Sequence, residues 1–199
     1  SRNTLTAQVI QEVGAPAVVR FAQRLGVRES KLEAVPSLAL GTSETTLLEL
    51  TSAYGVLANG GYAVEPHIIR AVKTSAGELL YQRPAQLPRR VAALPDIGAM
   101  NDMLNSALIS GTGRRAAIAR HPAAGKTGTT QDYTDAWFVG FTPQLVAGCW
   151  LGFDDPRIKF GGSYGQGGRA AAPIWGRFMK YVYDDPQTTM ELKYFEMPP

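Results

Sequence analysis

The residues best suited to chemistry lie in one short run, Gly125-Lys126-Thr127-Gly128-Thr129-Thr130. A bare Lys-Thr-Gly is expected by chance in roughly a few per cent of chains this long, but the added Thr-Thr lowers that to roughly one in ten thousand. In a strand, Lys126 and Gly128 share one face, and Thr127 and Thr129 share the other. Lys126 supplies a positive charge, and Gly128, which has no side chain, lets another backbone approach closely. Thr129 offers a hydroxyl and a backbone N–H. This set favours an extended peptide that ends in a carboxylate and adds to a sheet edge, although an edge strand whose lysine only opposes aggregation is the alternative.

Strand-like runs with short connections surround this motif. Residues 123–130 contain it, residues 136–141 follow, and only three residues separate the latter from the run 145–153, which is short enough for an antiparallel hairpin. Helical spacing of apolar residues predicts helices that begin near residues 4, 16, 47, 96 and 173. We therefore predict an α+β fold in which an antiparallel sheet is flanked by helices.

Local signals add detail to this prediction. Thr46 and Glu49 form a capping box, in which each side chain satisfies a backbone amide at the start of the third helix. Residues 64–74 and 78–82 are typical of two short strands joined by a turn. Residues 161–168 are glycine-rich but lack the Gly-Lys-Ser/Thr ending of a phosphate-binding loop, so we interpret them as a mobile loop.

The composition narrows the classes of function. The chain has 199 residues, of which 45% are hydrophobic, enough for one core. Lys and Arg number 20 against 17 Asp and Glu, without a dense basic run, so we predict no nucleic-acid partner. Cys149 is the single cysteine, which excludes an internal disulfide and a multi-cysteine metal site; we predict no metal and no other cofactor. No apolar stretch reaches the roughly 18 residues of a membrane-spanning helix.

Taken together, these motifs resemble the transpeptidase domain of class A, bifunctional penicillin-binding proteins. Penicillin-binding proteins carry Ser-x-x-Lys, Ser-x-Asn and Lys-Thr-Gly signatures. The stretches that resemble this family are residues 41–50, 52–54, 58–62, 111–113 with Ala116, 125–130, 135–138, 150–155 and 172–175. The resemblance covers nearly the whole chain and implies a β-lactamase/transpeptidase-like fold.

The resemblance also implies catalytic roles for two residues. Ser1-Arg2-Asn3 stands where the family has its Ser-x-Asn motif. Ser1 would relay a proton to the leaving amine, since a hydroxyl both donates and accepts. Lys126 would organise Ser1 and provide positive potential for the terminal carboxylate of the acyl donor.

Four residues are expected to bind substrate: Asn3, Thr127, Gly128 and Thr129. Asn3 would hold the acyl donor through its side-chain amide. Both threonines are candidates to bind the donor carboxylate through their hydroxyls; we expect only one of them to face the cleft and favour Thr129. The backbone N–H of Thr129 would form half of the oxyanion hole.

The implied reaction is serine acyl transfer that cross-links peptidoglycan stem peptides, with β-lactams acylating the same serine. The chain contains no Ser-x-x-Lys. We therefore expect the nucleophile upstream of Ser1, a fold that is incomplete at its N-terminal side, and no activity from this chain alone. A glycosyltransferase domain and an inner-membrane anchor are expected further upstream, with this domain in the periplasm or on the outer face of the cytoplasmic membrane.

The expected partners are stem peptides, β-lactam antibiotics, the missing N-terminal part of the same protein and, through self-association, a second copy. Residues 1–184 are assigned to the C-terminal part of the transpeptidase domain, and residues 185–199 to a tail. Two other functions stay open. One is a serine β-lactamase or D,D-carboxypeptidase of the same superfamily, which uses water in place of the amine; the other is a non-catalytic peptide-binding module.

Overall fold

A computed structural model describes residues 2–155, 157–188 and 190–196. The helices are α1 (Asn3–Val13), α2 (Ala15–Leu25), α3 (Leu47–Ala58), α4 (Leu94–Ile109) and α5 (Ala171–Asp184). The strands are β1 (Ala71–Lys73), β2 (Leu79–Gln82), β3 (Ala124–Thr129), β4 (Ala136–Phe141) and β5 (Val146–Leu151). Short 3-10 turns occupy Pro36–Leu40, Arg114–Ala116 and Gly162–Gly165. The predicted α+β class is confirmed.

The main sheet has the order β3-β4-β5, and both strand pairs are antiparallel. Side chains alternate between the two faces of β4, so Phe138 and Phe141 point in opposite directions. Phe138 packs against Trp175 of α5, with ring centroids 5.2 Å apart. Phe141 packs against Tyr54 of α3, with centroids 6.1 Å apart. The sheet is therefore covered by α5 on one face and by α3 on the other.

The face toward α5 carries an apolar core cluster. Phe138, Trp175 and Met179 lose essentially all solvent contact there. The indole Nε1 of Trp175 donates to the Ala147 carbonyl oxygen at 3.0 Å, so this large ring is buried without an unsatisfied donor. This packing fixes the position of α5, and with it the glycine-rich loop that leads into the helix.

The turn between β3 and β4 is held by a polar network around Asp135. Its carboxylate accepts from the indole of Trp150 at 2.9 Å and from the Thr134 hydroxyl at 2.8 Å. Its backbone N–H donates to the Thr130 hydroxyl oxygen at 2.9 Å. Thr130, the last residue of the motif run, thus serves the turn and sets the register in which β3 meets β4.

The hairpin of β1 and β2 is shorter than predicted. Pairing covers Ala71–Lys73 and Leu79–Gln82, whereas residues 64–70 are not in a strand. Gly77 has a φ of 88°, which glycine adopts without strain, and its N–H donates to the Thr74 carbonyl oxygen at 2.9 Å. All residues of both strands are exposed, so no buried face extends the ladder.

The helix boundaries differ from prediction mainly where proline begins a helix. Pro173 was expected at the first position of α5, but the helix starts two residues earlier, at Ala171. Pro95 lies within the first two positions of α4. Proline is tolerated throughout the first turn because the amides there have no intrahelical partner. It therefore marks that turn without fixing the first residue.

The carboxylate of Glu49 has a different role from the one predicted. The Thr46 hydroxyl accepts from the Glu49 N–H at 3.2 Å, as a capping box requires. The Thr46 N–H, however, donates to the Ser30 hydroxyl. The Glu49 carboxylate accepts from the backbone amides of Arg28 at 2.7 Å and Glu29 at 2.6 Å, and from the Ser30 hydroxyl. Glu49 therefore ties the loop after α2 to the start of α3.

Burial alone raises the pKa of Glu49, but the Ser30 hydroxyl and the three amides of residues 28–30 outweigh burial and lower the pKa to about 2, from an ordinary 4.5. The ionised form is thus favoured in the folded state. Its contribution to stability is complete above about pH 4.5 and is lost as the pH falls toward 2.

We expect Glu49→Gln to destabilise the domain by about 2 kcal/mol at pH 7, because the neutral amide offers one acceptor oxygen in place of two and turns an NH2 donor toward the donating Ser30 hydroxyl. In thermal unfolding of the full-length protein, this corresponds to a midpoint roughly 4–8 °C lower. The difference from wild type should shrink between pH 4.5 and 2. Exposed Glu44→Gln is the matched control, and a Glu49→Gln deficit that persists unchanged at pH 2 would contradict the assignment.

The last described residues return to the fold. Phe195 packs edge-on against Phe141, with centroids 5.5 Å apart. The division into residues 1–184 and 185–199 stays a prediction. Among the described residues, no helix is both long and apolar enough to cross a bilayer.

Candidate active site

Lys126 lies in the middle of β3, at the outer edge of the sheet. It pairs with Val139 of β4, which places its side chain on the face toward α3. The side chain then folds back along the strand, so that its Nζ donates to the Thr127 carbonyl oxygen at 3.0 Å and lies 3.5 Å from the Thr127 hydroxyl. Burial lowers the pKa of Lys126. The ammonium is therefore held against the strand that carries the threonines.

The two threonines project from the same face of β3, so the expectation that only one of them can face a cleft is wrong. Residues two apart on a strand share a face. The Thr127 hydroxyl lies 2.7 Å from the Thr112 hydroxyl, and the Thr129 hydroxyl accepts from the Gly167 N–H at 2.9 Å. Both hydroxyls therefore contact loops that lie beside α5. Strand alternation gives no reason to choose one of the two threonines over the other as the residue that faces a cleft.

The open edge of β3 carries backbone groups that can pair with a peptide. β3 is the terminal strand of the main sheet, and no other described strand lies beside its outer edge. The Thr130 N–H donates inward to the Asp135 carbonyl, so alternation turns the amides of Thr127 and Thr129 outward. The Thr127 carbonyl accepting from Lys126 agrees with this direction. The Thr129 N–H is thus at the edge where an oxyanion or an added strand would bind.

Two glycines allow the glycine-rich loop to close over β3. A Cβ on Gly167 would lie 2.3 Å from the Gly128 carbonyl oxygen, and one on Gly168 would lie 2.4 Å from the Thr112 carbonyl oxygen. Residues 161–168, interpreted from sequence as a mobile loop, are thus held at their C-terminal end by close backbone contact. Gly128 was expected to allow the close approach of another backbone. In the structure, the backbone that approaches is that of Gly167, which lies against the Gly128 carbonyl.

Thr112 belongs to this site and was not among the predicted site residues. It lies in the sequence Gly111-Thr112-Gly113, which appears above only among the stretches that resemble the family. The sequence did contain one signal that could have indicated Thr112 as a site residue. It is a threonine between two glycines at the point where a helix ends before the motif strand. Only the fold shows that this turn meets Thr127.

The other predicted site residues are less well placed by the structure. Ser1 lies outside the described residues. Asn3 is the first residue of α1 and its side chain is exposed. The described residues contain no cluster of His, Cys, Asp and Glu able to hold a metal ion. The assignments of Ser1, Asn3, Lys126, Thr127, Gly128 and Thr129 stay predictions.

Comparison with known proteins shows the family. Residues 1–180 match the family described as penicillin binding protein transpeptidase domain. The chain therefore belongs to the penicillin-binding protein transpeptidase family, and the resemblance inferred from its motifs is confirmed.

Curated relatives include penicillin-binding protein 1A of Aquifex aeolicus, 39% identical over 182 residues that cover 92% of this chain and 24% of the relative. Penicillin-binding protein 1A of Neisseria meningitidis serogroup A is 38% identical over 192 residues, covering 94% of this chain and 24% of the relative. The chain thus spans about a quarter of the length of these relatives.

Solved structures share the fold. Penicillin-binding protein 1A of Haemophilus influenzae superposes with a TM-score of 0.83 at 26% identity, covering 96% of this chain and 34% of that one. PonA1 of Mycobacterium tuberculosis, solved in complex with penicillin V, has a TM-score of 0.72 at 23% identity, covering 92% of this chain and 55% of that one. The β-lactamase/transpeptidase-like fold class is confirmed.

We expect Gly167→Ala to push the glycine-rich loop off β3, because its Cβ would overlap the carbonyl oxygens of Gly128 and Trp137. Overpacking of this kind costs about 2 kcal/mol, or a midpoint roughly 4–8 °C lower in thermal unfolding of the full-length protein. Gly161→Ala is the control in the same loop, since a Cβ there meets nothing within 4 Å. Equal midpoints for the two variants would show that the close contact at Gly167 does not hold the loop.

Proposed function

We propose that this chain is the Lys-Thr-Gly part of a peptidoglycan D,D-transpeptidase that cross-links stem peptides by serine acyl transfer and is acylated by β-lactams. The observation that carries the proposal is the edge of β3. There the Lys126 ammonium lies 3.0 Å from the Thr127 carbonyl oxygen and 3.5 Å from its hydroxyl, beside two threonine side chains on one face. Membership of the transpeptidase family supports the same reaction.

The acid end of a D-Ala–D-Ala donor would bind at the threonine face. The Lys126 ammonium lies 3.5 Å from the Thr127 hydroxyl and would attract the negative charge of the carboxylate. Each threonine hydroxyl has one proton that it can donate to a carboxylate oxygen. The donor backbone would add to the outer edge of β3 as an extra strand, where the amides of Thr127 and Thr129 are available. A β-lactam presents a carboxylate and an acyl carbonyl to the same two features. PonA1 in complex with penicillin V is a structural neighbour that supports this binding.

Acylation would then join the nucleophilic serine oxygen to the carbonyl carbon of the penultimate D-Ala as the bond to the terminal D-Ala nitrogen breaks. The serine proton would pass to the lysine of the same upstream Ser-x-x-Lys motif. Ser1 would pass a proton to the terminal D-Ala nitrogen, and the Thr129 N–H would stabilise the oxyanion. An amine of a second stem peptide attacks the ester and releases the serine. The chain has no Ser-x-x-Lys, so the nucleophile would come from sequence upstream of Ser1, and this chain alone would be inactive.

The whole protein would also carry a glycosyltransferase domain and an inner-membrane anchor upstream, which places this domain in the periplasm or on the outer face of the cytoplasmic membrane. The length of the penicillin-binding protein 1A relatives, about four times this chain, leaves room for both.

Lys126→Ala should reduce labelling of the full-length protein by a fluorescent penicillin by about 10²-fold or more, the usual effect of removing a group that assists proton transfer or binds developing charge. Lys73→Ala, which removes an exposed lysine from β1, is the matched control and should label like wild type. Residues 1–199 alone should not be labelled.

The same assay separates the alternatives. Rapid release of hydrolysed penicillin by the full-length protein would indicate the β-lactamase or carboxypeptidase. Complete absence of labelling in the full-length protein would indicate the non-catalytic peptide-binding module.

Isolated residues 1–199 should self-associate. On α1, Leu5, Val9 and Val13 recur along one face and are 61%, 51% and 54% exposed. Such a stripe needs a partner surface, which in the whole protein would be its N-terminal part. Sedimentation velocity should therefore detect dimers or larger species. Val9→Lys should weaken them, whereas Gln8→Lys, which adds the same charge at an exposed polar position of α1, should not. A compact monomer at high concentration would contradict this prediction.

A further inference from the structure

The structure assigns to Thr112 the role of a positioning residue: its hydroxyl donates to the Thr127 hydroxyl and thereby directs the Thr127 proton toward a bound carboxylate. This inference rests on the proposed function and extends it by one residue. The two hydroxyl oxygens are 2.7 Å apart, the distance of a good O–H···O hydrogen bond.

The available protons permit this direction of donation. A threonine hydroxyl has one proton and two lone pairs, and an ammonium can only donate. The Lys126 Nζ lies 3.5 Å from the Thr127 oxygen and occupies one side of it. With Thr112 donating on the other side, both lone pairs of Thr127 are engaged. Its own proton then has no acceptor within this group of three residues, and an anion in the cleft can take it.

Thr129 provides a precedent within the same site. Its hydroxyl oxygen accepts from the Gly167 N–H at 2.9 Å, and a backbone amide has no other role than donor. The Thr129 proton is therefore also left for an outside acceptor. Two threonines on one face, each fixed by an incoming hydrogen bond, present two O–H donors, which matches the two oxygens of one carboxylate.

The fold holds Thr112 in place for this role. The Gly113 N–H donates to the Ala107 carbonyl oxygen at 3.0 Å, which ties the turn to the end of α4. On the other side, Gly168 approaches the Thr112 carbonyl so closely that a Cβ there would lie 2.4 Å from it. Thr112 is itself exposed, so its hydroxyl and that of Thr127 meet at the surface that a ligand reaches. The turn is wedged between α4 and the glycine-rich loop.

The test uses the full-length protein and two penicillins that differ only at the carboxylate, the free acid and its methyl ester. The second-order rate constant of acylation is measured for wild type, Thr112→Val and Thr112→Ser. We expect Thr112→Val to slow acylation by the free acid about tenfold, the value of one hydrogen bond of about 1.4 kcal/mol, and to change the ester rate less than twofold. Thr112→Ser keeps the donor and should restore the acid rate.

Three further variants complete the experiment. Thr42→Val removes an exposed hydroxyl in a surface loop and should leave both rates unchanged. Thr127→Val combined with Thr112→Val should show the same acid rate as Thr127→Val alone, because Thr112 acts through Thr127.

Each outcome decides between the alternatives. The ratio of acid to ester rates within one preparation does not depend on the folded fraction, so partial misfolding of Thr112→Val leaves the test valid. Equal slowing of acid and ester would make Thr112 a structural residue and overturn the inference while leaving the proposed function intact. Failure of wild type to react with either penicillin would overturn the proposed function, and the inference with it.

Discussion

The site depends on the position of one ammonium at the edge of the sheet. Lys126 starts on the face toward α3, but its Nζ reaches the carbonyl and the hydroxyl of Thr127 at the outer edge of β3. Partial burial makes that charge costly and lowers the lysine pKa, so the charged form favours an anionic ligand that replaces lost hydration. Because β3 ends the sheet, the same edge turns the backbone amides of Thr127 and Thr129 outward. Charge and hydrogen-bonding groups for an acidic peptide thus meet along one strand.

That edge stays in place because the turn after β3 and the helix behind the sheet are both rigidly held. Asp135 fixes the turn through the indole of Trp150 and the hydroxyl of Thr134, which sets the pairing of β3 with β4. Trp175 locks α5 against Phe138, and α5 positions the glycine-rich loop that precedes it. The core residues behind the motif strand, among them Phe138, which pairs directly with Thr127, therefore determine where the Thr129 hydroxyl finds its donor. A site made of backbone edges needs this support, since displacements of about 1 Å already weaken oriented hydrogen bonds.

Sequence patterns predicted what depends on local chemistry. The strand that carries Lys126 and its partner 136–141 were located within a residue or two, because short runs bounded by turn residues are typical of strands. The carboxylate of Glu49 was assigned to the wrong amides, since its actual donors at residues 28–30 are twenty positions away in the chain. The contact of Thr112 with Thr127 could not be predicted for the same reason. The sequence showed that residues 161–168 are rich in glycine. It could not show which carbonyl oxygens Gly167 and Gly168 approach, because those contacts depend on how α5 packs.

The error over the two threonines shows what the fold adds. Treating Thr127 and Thr129 as competitors for one cleft position ignored their spacing of two, which puts both on one face. Their partners then explain why both hydroxyls are useful. Thr129 accepts from the Gly167 amide, and Thr127 shares a hydrogen bond with the Thr112 hydroxyl, which in the inferred arrangement is the donor. A hydroxyl that already accepts is preorganised to donate, and donors fixed before the ligand arrives lose less entropy on binding. On the proposed function, the selectivity of this edge for a carboxylate would therefore arise from neighbours that need not touch the ligand themselves.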